Sequence, residues 1–205
     1  MKRSLALSAI LAGFSLLGSW ALASDQQVLG KSFIVKNPSA QKRKLTSSAR
    51  ELNSASTITG DPTASGSAGG AFLTVIAKGT NPTAQDFPLP QGMSSSGKPF
   101  WRASGTGFKY KDGRGAQGPV KTVIIKKSLS GAFTIKVVIR GKNGELNVVP
   151  PDSGTSGLIT LKIGGGDRYC VQFTDGQMKN VDASLFKVRR PVTAGCSSVS
   201  GAFLN

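Results

Sequence analysis

From Phe133 to Arg140 the chain sorts its side chains into two sets. Phe133, Ile135, Val137 and Ile139 alternate with Thr134, Lys136, Val138 and Arg140. A repeat of two is that of an extended strand with one face on a core, and a helix would scatter those residues around its axis. No convincing 3.6-residue apolar periodicity follows residue 23, and Gly, Pro or Ser breaks most windows of a dozen residues. The chain is therefore expected to bury its apolar side chains between sheets.

Further strands are read at Phe108–Lys111, Val120–Ile125, Leu158–Ile163 and Tyr169–Phe173, and the run Ala71–Ala77 is apolar on both faces except for Thr74. Weaker patterns occupy Ser32–Lys36, Arg43–Ser48 and Leu185–Val188. Ser128–Gly131 can close a hairpin between the strands at Val120 and Phe133, and Gly164–Asp167 can do so between those at Leu158 and Tyr169. Residues 60–70 and 80–99, rich in Gly, Pro, Ser and Thr, are expected to be long surface loops. Short strands at this spacing predict an all-β domain, an antiparallel β-sandwich or a barrel-like relative of one.

Residues 1–23 read as a signal peptide. Lys2 and Arg3 precede an apolar run from Leu5 to Leu17, and Ala21-Leu22-Ala23 offers small residues for cleavage. The expected organisation is that leader, a single β-rich domain over 24–190, and a tail over 191–205. No later segment is apolar over the length needed to span a bilayer. Export places the two cysteines, Cys170 and Cys196, in an oxidising compartment, where a disulfide between them would tether the tail. Loop entropy assigns such a bridge roughly 3–4 kcal/mol. If the Tyr169, Val171 and Phe173 face is the core, Cys170 points out of the sheet.

The segments GDPTASGSAGGAFLTVIA (60–77), GFKYKDGRGAQGPVKTVIIK (107–126) and GGGDRYCVQFTDG (164–176) resemble a β-rich domain of secreted proteins from environmental bacteria. The likeness extends over most of residues 31–190. It implies an exported β-domain and assigns no catalytic, cofactor-binding or metal-binding residue. The serines around Ser94–Ser96 and the tail after Pro191 depart from that pattern.

Composition narrows the chemistry. The chain has no histidine, which removes Ser-His-Asp and Cys-His nucleophiles and any histidine ligand or base. Two cysteines are too few for a four-thiolate metal site. None of the carboxylates forms a calcium-loop pattern, and Gly164-Gly165-Gly166 leads into a strand where a phosphate-binding loop would open a helix. No catalytic residue and no cofactor is read.

What stands out is charge: 26 Lys and Arg face 10 Asp and Glu, for a formal +16. An excess of that size favours polyanions, here anionic polysaccharide, lipopolysaccharide or extracellular DNA. If Phe108, Tyr110 and the Phe133–Ile139 set face the core, Lys109, Lys111, Lys136 and Arg140 must face out. These four are the candidate polyanion-binding residues, and their adjacency rests on how the strands pair. The bland alternative is a solvated lysine face that keeps the protein soluble. The function expected is that of an exported, non-enzymatic binding or structural protein of the cell envelope, periplasm or extracellular space. The alternative is a secreted hydrolase working through two carboxylates across a cleft.

Overall fold

In a computed structural model, which describes residues 25–195, the chain forms thirteen strands in two sheets. They are β1 (Asp25–Gln27), β2 (Gly30–Lys36), β3 (Lys44–Glu51), β4 (Ala71–Lys78), β5 (Thr83–Leu89), β6 (Trp101–Ser104) and β7 (Gly107–Lys111). The remainder are β8 (Val120–Lys127), β9 (Phe133–Arg140), β10 (Ser156–Ile163), β11 (Arg168–Phe173), β12 (Gln177–Val181) and β13 (Leu185–Arg189). Among the described residues the helical pieces are single 3-10 turns, and no helix is long and apolar enough to cross a membrane.

A five-stranded sheet runs β1-β11-β10-β4-β5 and an eight-stranded sheet runs β12-β13-β2-β3-β9-β8-β7-β6. All neighbours are antiparallel except β1 and β11. The chain is thus an all-β sandwich, as its alternation predicts. Ser128–Gly131 turns β8 into β9, and the glycines after Ile163 turn β10 into β11.

The core lies between the sheets. Phe33 of the larger sheet meets Phe173 of the smaller at 5.3 Å between ring centroids, and Phe133 stacks on Tyr169 at 5.6 Å. Burying each such ring contributes about 1.5–3 kcal/mol. Close approach explains two glycines. A Cβ on Gly157 would stand 2.7 Å from the Phe33 ring, and one on Gly30 the same distance from that of Phe173. Tyr169 ends in a polar tie: its hydroxyl accepts from the Thr59 amide (2.8 Å) and donates to the Thr57 carbonyl (3.0 Å).

One expectation needs correction. Residues 80–99 are not one long loop, because Thr83–Leu89 pairs with β4 from Ala71 to Ala77. This strand escapes the period-two signal because it is a sheet edge. Only Phe87 and Leu89 are buried, and Pro88 sits where no ladder donor is required. The open side of β5 is covered by side chains: Gln85 accepts from the Asn147 amide (2.7 Å), and Thr83 donates to the Val149 carbonyl (3.0 Å). Leu146 and Val148 are carried into the core beside them. Cys170 projects away from the inter-sheet core, as its alternation with Tyr169 and Val171 predicts, and on that outer side it is fully buried, as are Ile76 and Leu158. The tail reaches this face, where Gly195 lies against the Gln172 side chain. Cys196 and the proposed leader lie outside the described residues.

Candidate polyanion-binding face

Register decides which side chains share the outer face of the eight-stranded sheet. Lys109 and Lys111 of β7, Lys136 and Arg140 of β9 all point there, separated by β8. Lys136, Ile124, Lys109 and Arg102 form one cross-strand row, so Lys136 and Lys109 stand two strands apart, about 10 Å. The four candidates therefore share one face, with Arg102 extending their row to the sheet edge.

The same face carries more cations than sequence reasoning named. Lys36, Lys44 and Arg140 stand directly opposite one another on β2, β3 and β9. Lys179 faces Lys187 on β12 and β13, and Arg189 lies in the row that contains Lys136. Arg50 and Lys126 flank Thr134. Lys121 enters through the irregularity between Val120 and Thr122. Between the cations lie Ser32, Ile34, Thr46, Ser48, Thr122, Ile124, Thr134 and Val138. The signal for Lys44 and Arg50 was present in the alternation Lys44, Thr46, Ser48, Arg50, but a polar set broken by two hydroxyls reads as an ordinary wet face.

No carboxylate projects from this face. Asp25, Asp61, Asp86 and Glu145 belong to the smaller sheet or its loops, and Asp152, Asp167, Asp175 and Asp182 to turns and connections. Glu51 ends β3 on the inward side and accepts from the Ser54 hydroxyl. Asp112 is buried and accepts from the amides of Gly115 (2.9 Å) and Gln117 (2.7 Å). The ion pair between Arg168 and Asp25 lies at the far edge of the other sheet.

Like charges opposite one another on a sheet repel. Arg140 leads the causes that hold the Lys121 ammonium below its usual range, followed by burial and then Lys142, Lys111 and Lys44. Lys187 is lowered first by burial and then by Arg189, Lys179 and Lys36. The Nε of Arg140 is buried and has no hydrogen-bond partner among the described residues.

At the β6 edge the face opens into a cavity of about 370 Å³ lined by Ser94–Ser96, Lys98, Arg102, Lys111, Asp112 and Arg114 among others. On the opposite end of the fold, Asp152 and Asp182 line a shared groove of about 480 Å³ with Thr83 and Val149, both carboxylates lying at exposed turns. No group of three or more metal-ligating side chains occurs among the described residues. Comparison with protein-family models, with curated proteins and with solved structures finds no match.

Proposed function

We propose that the protein is an exported, non-enzymatic β-domain that attaches to polyanions through the outer face of its eight-stranded sheet. The observation that carries this reading is the segregation of charge: rows of Lys and Arg cover that face, and the chain places every carboxylate elsewhere. Solubility alone is served by interspersed signs, which avoid cross-strand repulsion. A single-signed face raises the local concentration of an anionic polymer and binds it through counter-ion release. Attachment is blind to sequence and sensitive to salt. The leader over 1–23 delivers the chain to the envelope or beyond it. The bridge between Cys170 and Cys196 fastens the tail to the smaller sheet, a reading supported by Gly195 lying on the Cys170 face.

The test is retention on immobilised heparin and on duplex DNA. Wild type is retained in a salt-dependent way, on DNA with a log–log slope of roughly −0.9 per neutralised phosphate. Substituting Lys109, Lys111, Lys136 and Arg140 together by Gln removes most of the retention. The three lysines are exposed and contribute little stability, and because Arg140 is half-buried, circular dichroism checks the fold of the variant before retention is read. Elution of folded wild type at low salt overturns the reading. The second reading, a hydrolase using Asp152 and Asp182, draws on their shared groove, where both carboxylates lie exposed at turns.

A further inference from the structure

The cavity at the β6 edge differs from the rest of the face because its walls are built rather than merely exposed. One wall is the loop between Met93 and Pro99, which pair across it. Ser94 closes that loop through its amide to the Lys98 carbonyl (2.8 Å), and its hydroxyl donates to the same carbonyl (3.0 Å). The Gly97 amide returns to the Ser94 carbonyl (2.9 Å). The other wall is the loop after β7, held where the Gly115 and Gln117 amides donate to the Asp112 carboxylate. Gly115 there has a φ of 75° and packs against Asn143, a conformation and a space that suit glycine. The floor is Phe100, buried and stacked on Tyr110.

Lys98, Arg102, Lys111 and Arg114 line this preformed space, together with the exposed Ser95 and Ser96. Asp112 lines it too, with both carboxylate oxygens committed to its own loop. The volume exceeds that of a lone tetrahedral anion and falls at the lower end of small-molecule sites, roughly 300–1,000 Å³. Guanidinium groups match planar carboxylate or sulfate oxygens, and hydroxyls match other hydroxyls. No aromatic ring is exposed in the cavity or on the cationic face: Phe100, Trp101 and Tyr110 are all buried. Single-stranded nucleic acid draws much of its affinity from such rings, so the chemistry favours a saccharide.

We propose that this cavity seats the terminal carboxylated or sulfated sugar of an acidic polysaccharide, whose following units cross the sheet along the row Arg102, Lys109, Ile124 and Lys136. This rests on the polyanion reading above and adds an anchored chain end to it.

The test uses the exported protein, amide chemical shifts, and two short probes, trigalacturonate and a heparin-derived tetrasaccharide. Saturable shifts are expected at residues 94–98, 102 and 111–116, extending along the row only as far as the probe reaches, through Lys109 and Ile124. The pair Arg102→Gln/Arg114→Gln, both exposed and so compatible with folding, weakens short-probe binding by about tenfold or more, the loss expected on removing charge-assisted hydrogen bonds. The pair Lys78→Gln/Lys162→Gln, on the outer face of the five-stranded sheet and outside the row, changes short-probe binding less than about twofold. Short probes that shift the whole face without saturation, or bind the Arg102/Arg114 variant as well as wild type, overturn the chain-end site. Salt-dependent retention of long heparin in that case leaves the face reading standing; loss of such retention in wild type removes the face reading while the short probes still judge the cavity. Tighter binding of poly(dT) than of either saccharide at residues 94–98 overturns the sugar assignment.

Discussion

Lys44→Gln offers a direct reading of the strain on the cationic face. Lys44 stands opposite Lys36 on one side and Arg140 on the other. Cross-strand Cβ atoms lie about 5 Å apart, and flexible arms splay the charges to about 7 Å. At that separation each like pair costs about 0.6 kcal/mol in the dielectric of water, so two neighbours cost about 1.2 kcal/mol without screening. With a Debye length of about 10 Å at 0.1 M salt the sum falls to about 0.6 kcal/mol, and at 1 M to about 0.1 kcal/mol. Glutamine keeps a polar outward side chain and removes the charge, so the variant is expected to be more stable than wild type at low salt. The gain should shrink as salt rises. Urea unfolding followed by the fluorescence of buried Trp101, at three salt concentrations, measures it, because urea adds no ions of its own. A variant less stable than wild type at low salt, or a gain indifferent to salt, would refute the reasoning: Lys44 would then hold a favourable partner rather than face two cations.

Three other outcomes follow from the packing. Tyr110 and Tyr169 are the chain's two tyrosines, and burial raises both phenols above their usual range. Their stabilising effect is full below about pH 10, where the unfolded chain titrates, and is lost as pH climbs toward the folded values; phenolate absorbance should therefore appear together with unfolding, and its appearance in the folded protein near pH 10 would contradict the burial. Gly157→Ala forces a methyl toward Phe33 and should destabilise by about 1–3 kcal/mol, read as a lower urea midpoint; an unchanged midpoint would mean the sheets separate there at little cost. If the chain is exported and bridged as proposed, alkylation in denaturant before reduction, which exposes the buried Cys170, should modify neither Cys170 nor Cys196, and two modified thiols in the intact mass would disprove the bridge.

The strands whose signals are strongest in the sequence are those with one face sealed by the other sheet. Phe133–Arg140 and Val120–Ile125 became central strands of the larger sheet, where each inward side chain is buried and each outward one is wet. The strands without a signal are edges. β5 buries two side chains through its end, β12 none, and β1 is three residues long; an edge strand is held by ladder hydrogen bonds, which leave no apolar period to read. For the candidate site, orientation was legible because the pleat dictates it: Lys109 and Lys111 had to oppose Phe108 and Tyr110. Adjacency was not legible. Lys36, Lys44 and Arg140 are far apart in the chain and meet only because β2, β3 and β9 are neighbours, a long-range pairing that no local pattern encodes. The serines at 94–96 carried no signal either, since their part in a cavity wall depends on the loop after β7 folding opposite them.

If position rather than net charge makes this chain bind polyanions, two variants of equal charge separate the two effects. Lys44→Gln/Lys136→Gln removes cations from the outer face of the eight-stranded sheet, whereas Lys78→Gln/Lys162→Gln removes as many from the outer face of the five-stranded sheet. On immobilised heparin over a salt gradient, the first pair is expected to elute well before wild type and the second close to it. Co-elution of the two pairs would contradict the account and leave the positive charge a matter of solubility.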